Sequence, residues 1–294
     1  MTRLNIIFAA DSKYIPHLAT AIKSILLNNE KNLFNIYIIH NSLKETDWVK
    51  IRSLDNQKNC IFINCKINDI ALKKLPLKYH FTVAMYYRLL IPDLIFTDRA
   101  LYFDSDIIVT NDLTELYSID FKNLFLAAIN DYGNHIPDYF NSGVMVLNLK
   151  AIRDNKIMEK SIEFIKNNQT KINFGDQDAL NAIVCGRYTK LNPKFNVQSS
   201  MFNALNNVSF DGYETSKIRD AIKNPVVIHF TGSSKPWSLR NNHPYKSLYW
   251  KYRRLTPYRP IFFNDFTILE LMKFIILDAV KILFNGIFKF TSGK

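Results

Sequence analysis

Short apolar runs alternate along this chain with segments whose apolar residues recur every three or four positions. Leu4 to Ala10 reads as a buried strand that stops at Asp11, Ser12, Lys13 and Tyr14; Ile15, Leu18, Ile22 and Ile25 then fall at helical spacing. Phe34 to His40 predicts a second strand, Ser42 or Glu45 onward a helix, and Cys60 to Ile67 a third strand. That alternation predicts an α/β fold with a mostly parallel central sheet flanked by helices. Thr82 to Leu94 predicts a helix stopping near Pro92, Leu113 to Tyr117 a short helix and Leu124 to Ile129 a strand. A turn at Gly143 feeds a buried strand, a helix follows over about 150–167, and Asp176, Gln177 and Asp178 open another. Asn192 to Asn196 is loop-like, and Val226 to Phe230 is a strand running into Thr231-Gly-Ser-Ser-Lys-Pro-Trp237.

The candidate chemistry sits in Leu101-Tyr-Phe-Asp-Ser-Asp-Ile-Ile-Val-Thr110. Within a strand, Asp104 and Asp106 point to one face, because side chains alternate with period two. Two half-buried carboxylates side by side stay ionised only with a cation near them, and hard oxygen donors favour magnesium or manganese. A Gly/Ser loop carrying one lysine, as at Gly232 to Lys235, suits phosphate oxygens. His229 at the preceding strand end is placed to complete a metal shell. After the first strand there is no G-x-G-x-x-G, which removes the dinucleotide fingerprint. Small Ala10, with Asp11 and Tyr14 beside it, offers a nucleobase an approach, an acceptor and an aromatic face. Each motif alone has a plainer reading: a solvated turn for the aspartates, helix capping for Asp11 and Asp176, a core histidine for His229.

Six segments in order resemble glycosyltransferase family 8, the bacterial lipooligosaccharide and lipopolysaccharide α-galactosyl- or α-glucosyltransferase type. They are Phe8-Ala-Ala-Asp-Ser-Lys-Tyr14, Tyr87-Arg-Leu89, Leu101-Tyr-Phe-Asp-Ser-Asp106, Phe140-Asn-Ser-Gly-Val144, Asp176-Gln-Asp178 with Leu180-Asn181, and His229-Phe-Thr-Gly-Ser-Ser-Lys-Pro-Trp237. The resemblance implies a GT-A type nucleotide-diphospho-sugar transferase fold over residues 1–256. It implies a UDP-hexose donor, a saccharide acceptor and transfer with retention of anomeric configuration. It places a divalent cation, manganese before magnesium, on Asp104, Asp106 and His229. It places the uracil on Asp11 and Tyr14, with Ala9, Ala10, Ser12, Lys13 and Ser105 among the donor contacts. Gly232 and Lys235 would grip the diphosphate, and Arg88, Asn141, Asp176 and Gln177 would surround the hexose. Family members often carry Asp or Asn where this chain has Ser12 and Lys13. Gln177, Asp176 and Asp178 are the expected catalytic residues. Gln177 matches the family residue nearest the sugar's far face and is a poor nucleophile, which favours front-face attack with a phosphate oxygen helping to deprotonate the acceptor.

Of the formal charge of +12, the segment from Lys235 onward carries +8, with eleven Lys/Arg against three Asp/Glu. There, bases alternate with aromatics, and residues 266–284 predict an amphipathic helix. The basic 257–294 tail is therefore expected to rest on a membrane interface, near a lipid-linked acceptor. Packing on the catalytic domain and single-stranded nucleic-acid binding are the competing readings, the latter not favoured. The first apolar run reads as a strand rather than a signal peptide, and no apolar stretch reaches the ~18–20 residues of a span. Cys60, Cys65 and Cys185 lack metal-like spacing and are expected to be reduced and buried. The expected location is the cytoplasm, on the inner face of the membrane. The rival functions are a nucleotidyl- or phosphotransferase on the same metal-diphosphate site, and a non-enzymatic sugar-nucleotide or RNA-binding module.

Overall fold

A computed structural model describes residues 3–79, 81–134, 136–202 and 212–259. The expected membrane-contacting helix over 266–284 lies outside the described residues. Among them, no helix is long and apolar enough to cross a membrane.

The first three strands appear where the apolar runs put them: β1 (Arg3–Ala9), β2 (Leu33–His40) and β3 (Cys60–Lys66). The helices α1 (Ile15–Asn28) and α2 (Glu45–Arg52) connect them. Then come β4 (Arg99–Phe103), β5 (Ile107–Val109), β6 (Leu126–Ala128), β7 (Val144–Asn148) and β8 (Thr189–Lys190), with the one-turn helices α3 (Ile91–Leu94) before β4 and α4 (Thr114–Tyr117) after β5. The main sheet has the order β3-β2-β1-β4-β7-β6-β8. β1 to β4 are mutually parallel, β7 runs antiparallel to β4 and β6, and β8 is parallel to β6. A second sheet, β5-β10-β9, joins β5 to β9 (Val197–Gln198) and β10 (Val227–His229).

Period-two alternation divides each central strand between two cores. On β1, Leu4, Ile6 and Phe8 pack with α1; Ile7 packs on the opposite face with Tyr102 of β4 and Leu147 of β7. That opposite face is covered by α5 (Leu149–Asp154), α6 (Ile157–Asn167) and α7 (Asp176–Val184). A third cluster, with Ile108, Ile228, Phe230 and Trp237, ties the small sheet to the helix Lys246–Arg253.

Four expectations are corrected. The segment Val83–Leu90 is a 3₁₀ helix, followed by a single α turn at Ile91–Leu94. The tighter winding seats Tyr87 on Asp69 (2.8 Å) and Arg88 on the Ser142 carbonyl (2.7 Å) together. The helix expected over 150–167 is broken between α5 and α6. There Lys156 adopts a left-handed backbone (φ 52°) and the Asn155 amide takes the Ala151 carbonyl (2.9 Å). The aspartate pair does not lie within one strand: β4 ends at Phe103 and β5 begins at Ile107, in different sheets. Among the cysteines only Cys65 is buried; Cys185, at the left-handed C-cap of α7, is exposed.

Gly175, the residue before α7, has φ 58° and ψ −117°, and a Cβ there would stand 1.8 Å from Met85 Cε. Gly175→Ala is expected to cost about 1–3 kcal/mol through backbone strain and overpacking. The urea unfolding midpoint reads this directly, and an unchanged midpoint contradicts it.

Candidate active site

The parallel strands β1 and β4 end side by side, so Ala9, Ala10 and Asp104 emerge on one rim, where open α/β sheets place ligands. Asp11 Oδ1 accepts from the backbone of Lys13 (2.9 Å) and Tyr14 (3.2 Å), and its Oδ2 accepts from Thr82 Oγ1 (2.9 Å). Asp11 thus organises the entry to α1 while still facing the cavity described below. Burial, helped by nearby aspartates, raises the Tyr14 phenol well above its ordinary range. Ser12 and Lys13 are exposed and do not line the cavity.

Arg88 is buried among acceptors. One terminal nitrogen donates to Ser142 O (2.7 Å), the other to Asp104 Oδ1 (2.9 Å), and the guanidinium lies 4.6 Å over the Tyr102 ring. Burial opposes its charge, but Asp104 and Asp176 hold it protonated. Asp176 Oδ2 is 2.8 Å from Arg88 Nε, yet that N–H donates to Met85 O (3.2 Å), leaving the carboxylate oxygen without a donor. Burial outweighs the guanidinium's charge and pushes Asp176 up to about 7.

The metal-ligand candidates converge although they come from two sheets. Phe230 N donates to Asp106 O (3.0 Å) and β10 pairs antiparallel with β5, which carries His229 beside the aspartates. His229 Nε2 stands 3.3 Å from Asp106 Oδ1 and 3.8 Å from Asp104 Oδ2. One ligand atom of each residue lies within 4.8 Å of the other two. The remaining oxygens are occupied: Asp104 Oδ1 also accepts from Tyr102 (2.9 Å), and Asp106 Oδ2 from Lys235, which also donates to Phe230 O (2.7 Å). Burial would raise the Asp106 pKa, but the Lys235 ammonium beside it holds it far below the carboxylate range. Gly143 backs the group, and a Cβ there would stand 2.2 Å from His229 Cε1 and 2.6 Å from Asp104 Oδ2. Two carboxylate oxygens and one imidazole nitrogen against a wall without a side chain fit a hard divalent cation.

Around this group opens a cavity of about 950 Å³. Its lining includes Ser105, Asn141, Gln177, Gly232 and Lys235, with Tyr79, Phe81 and Phe174 on an aromatic side. Gly232 has φ 82°, a conformation that lets the backbone of the Gly/Ser loop turn in. Trp237 anchors that loop by stacking on His17, with centroids 3.5 Å apart, while burial lowers the His17 pKa to about 3. Asp178 does not line the cavity. Its oxygens accept from Tyr139 (2.5 Å) and from the backbone of Asn173 (2.7 Å) and Phe174 (2.8 Å), fixing the turn before α7.

Asp131, missed in the sequence, lines the cavity and accepts from Gln177 Nε2 (2.9 Å) and Asn141 Nδ2 (3.3 Å). The available signal was an acidic residue just beyond an apolar strand ending at Ile129.

The model of the family described as Glycosyl transferase family 8 matches residues 5–240. Glycosyltransferase GlyB of Streptococcus pneumoniae serotype 4 is 33% identical over 259 residues, covering 87% of this chain and 63% of that protein. This chain therefore spans under two thirds of that relative's length. Lipopolysaccharide 1,2-glucosyltransferase of Escherichia coli is 27% identical over 249 residues, covering 80% of this chain and 72% of that protein. In the solved structure of the galactosyltransferase LgtC with donor and acceptor sugar analogues, the fold matches with a TM-score of 0.77 at 24% identity. That match covers 88% of this chain and 98% of that one. The architecture is accordingly GT-A, and the chain belongs to glycosyl transferase family 8.

Proposed function

We propose that the protein transfers a hexose, galactose or glucose, from a UDP-sugar to a saccharide acceptor with retention of configuration. The observation that carries this is the convergence of Asp104, Asp106 and His229 in the wall of a cavity that Gly232 and Lys235 also line. Its size and its mixture of charged and aromatic lining accommodate a nucleotide sugar with an acceptor. Relatives that include a lipopolysaccharide glucosyltransferase and a galactosyltransferase support a hexose as the group transferred.

Asp104, Asp106 and His229 would hold a divalent cation, manganese in preference. When bound, that ion would offset charge on the diphosphate, which departs as the anomeric C–O bond breaks. The leaving UDP needs charge compensation rather than a proton, and Lys235 supplies an ammonium at the same place. Asp11 and Tyr14 receive the base, with Ala9 and Ala10 leaving room for it. Arg88 fixes Asp104 while Asn141, Asp176 and Gln177 bound the space for the hexose. Gln177 is neutral, and its amide is spent on Ser142 N (3.0 Å) and Asp131. It therefore orients the sugar rather than attacking it. Retention follows from acceptor attack on the face the UDP leaves, the acceptor's proton passing to a departing phosphate oxygen.

A panel of UDP-sugars incubated with the full chain and Mn²⁺ tests this. UDP released from UDP-galactose or UDP-glucose is expected, stimulated by a saccharide acceptor. Pyrophosphate or free phosphate as the product would favour a nucleotidyl- or phosphotransferase, and no UDP from any donor would overturn the proposal.

A further inference from the structure

We infer that Asn196 is a positioning residue that keeps a proton on His229 Nδ1, so that the lone pair of Nε2 faces Asp104 and Asp106. This rests on the proposed role of His229 as a metal ligand. The assignment follows from a chain of hydrogen bonds that begins at a backbone group incapable of reversing. Gly143 N–H can only donate, and it donates to Asn141 Oδ1 (3.2 Å). The same oxygen accepts from Asn196 Nδ2 (3.0 Å). The far end of the Asn141 amide agrees, because its Nδ2 faces the acceptors Asp131 Oδ2 (3.3 Å) and Gln177 Oε1 (3.4 Å).

With its nitrogen committed to Asn141, Asn196 turns its oxygen to His229 Nδ1 at 3.1 Å. An amide oxygen only accepts, so Nδ1 must carry hydrogen. Reversing Asn196 would set two carbonyl oxygens 3.0 Å apart, and reversing Asn141 as well would set an NH₂ against Gly143 N–H. Water cannot repair either mismatch: Asn196 is fully buried, and Asn141 and His229 nearly so. The backbone holds the pair in register too, since β9, beginning one residue after Asn196, runs parallel to β10, which ends at His229.

Imidazole binds a cation through an unprotonated nitrogen, and the hydrogen bond on the other nitrogen sets which one is available. The opposite tautomer would aim an N–H at the space between the carboxylates. Loss of such a supporting contact typically weakens metal affinity by about 10–100-fold.

Two measurements on the full chain test this. Long-range ¹H–¹⁵N spectra of the Mg²⁺-loaded protein, with the His229 signal assigned by its absence in His229→Gln, should show Nδ1 protonated and Nε2 not. Free Mn²⁺ counted by electron paramagnetic resonance should give a dissociation constant about 10–100-fold higher for Asn196→Leu. Asn196→Asp, which retains an acceptor for Nδ1, should stay closer to the unaltered protein. If the unaltered protein binds no Mn²⁺, the metal reading itself fails. If it binds but Nδ1 lacks a proton, or Asn196→Leu binds equally well, only the inference about Asn196 is overturned. The spectrum needs no folded Asn196 variant.

Discussion

Asp106→Asn should lower metal-dependent UDP release by at least about 10²–10³-fold, equivalent to about 3–4 kcal/mol of transition-state stabilisation. The substitution preserves shape and removes one negative charge. Asp106 is buried, its Oδ1 faces His229 Nε2 at 3.3 Å, and its other oxygen holds Lys235. Losing that charge weakens the cation site and removes the partner that keeps the Lys235 ammonium in position. Lys235 retains the Phe230 carbonyl (2.7 Å), so the protein should stay folded, with a reduced melting temperature because a buried cation has lost its counter-charge. Single-turnover UDP release, Mn²⁺ binding and thermal melting separate these effects. A variant with unchanged turnover would remove the cation from the mechanism.

The second large effect is expected at a residue with no functional group. Gly143→Ala introduces a Cβ 2.2 Å from His229 Cε1, 2.6 Å from Asp104 Oδ2 and 2.9 Å from His229 Nε2. The His229 ring is buried and bound to Asn196, so it has no free space to enter. The methyl group must therefore part His229 from Asp104 or shift the start of β7. Overpacking of this kind typically costs about 1–3 kcal/mol, which a stable domain survives. Displaced donors are harder to tolerate: Mn²⁺ affinity should fall by about 100-fold or more, at the upper end of what misplacing supporting groups costs. Mn²⁺ titration with circular dichroism checks both halves. A folded Gly143→Ala that binds Mn²⁺ normally would contradict the described packing.

The reasons some features were legible in the sequence are local. β1, β2 and β3 are apolar runs long enough to dominate their own conformation, and α1 keeps helical spacing from Ile15 to Ile25. Asp104 and Asp106 were recognisable as a pair, but the reason given for their convergence, one strand with period two, is not the one the fold uses. They flank the crossing between two sheets, and β10 brings the histidine from 123 positions downstream of Asp106. Asn196 carried no local signal of its role, since its partner Asn141 lies 55 residues away, and Asp131 carried only its place after a strand end, its partner Gln177 lying 46 residues on. Asp178 shows the converse: the family motif it belongs to made it a catalytic candidate, while Tyr139 takes one of its oxygens and the backbone of its own turn, at Asn173 and Phe174, takes the other.

The pairing of β10 with β5 has a consequence for how the protein can vary. Because His229 lies opposite Ile107 in that ladder, its direction is set by strand parity. A one-residue frame slip would turn the imidazole to the other side while leaving the ladder's bonds intact. The turns that border the cavity are free of this constraint. Those turns can lengthen or change residues without moving His229, whereas its place beside the two aspartates is tied to the weave of the sheet.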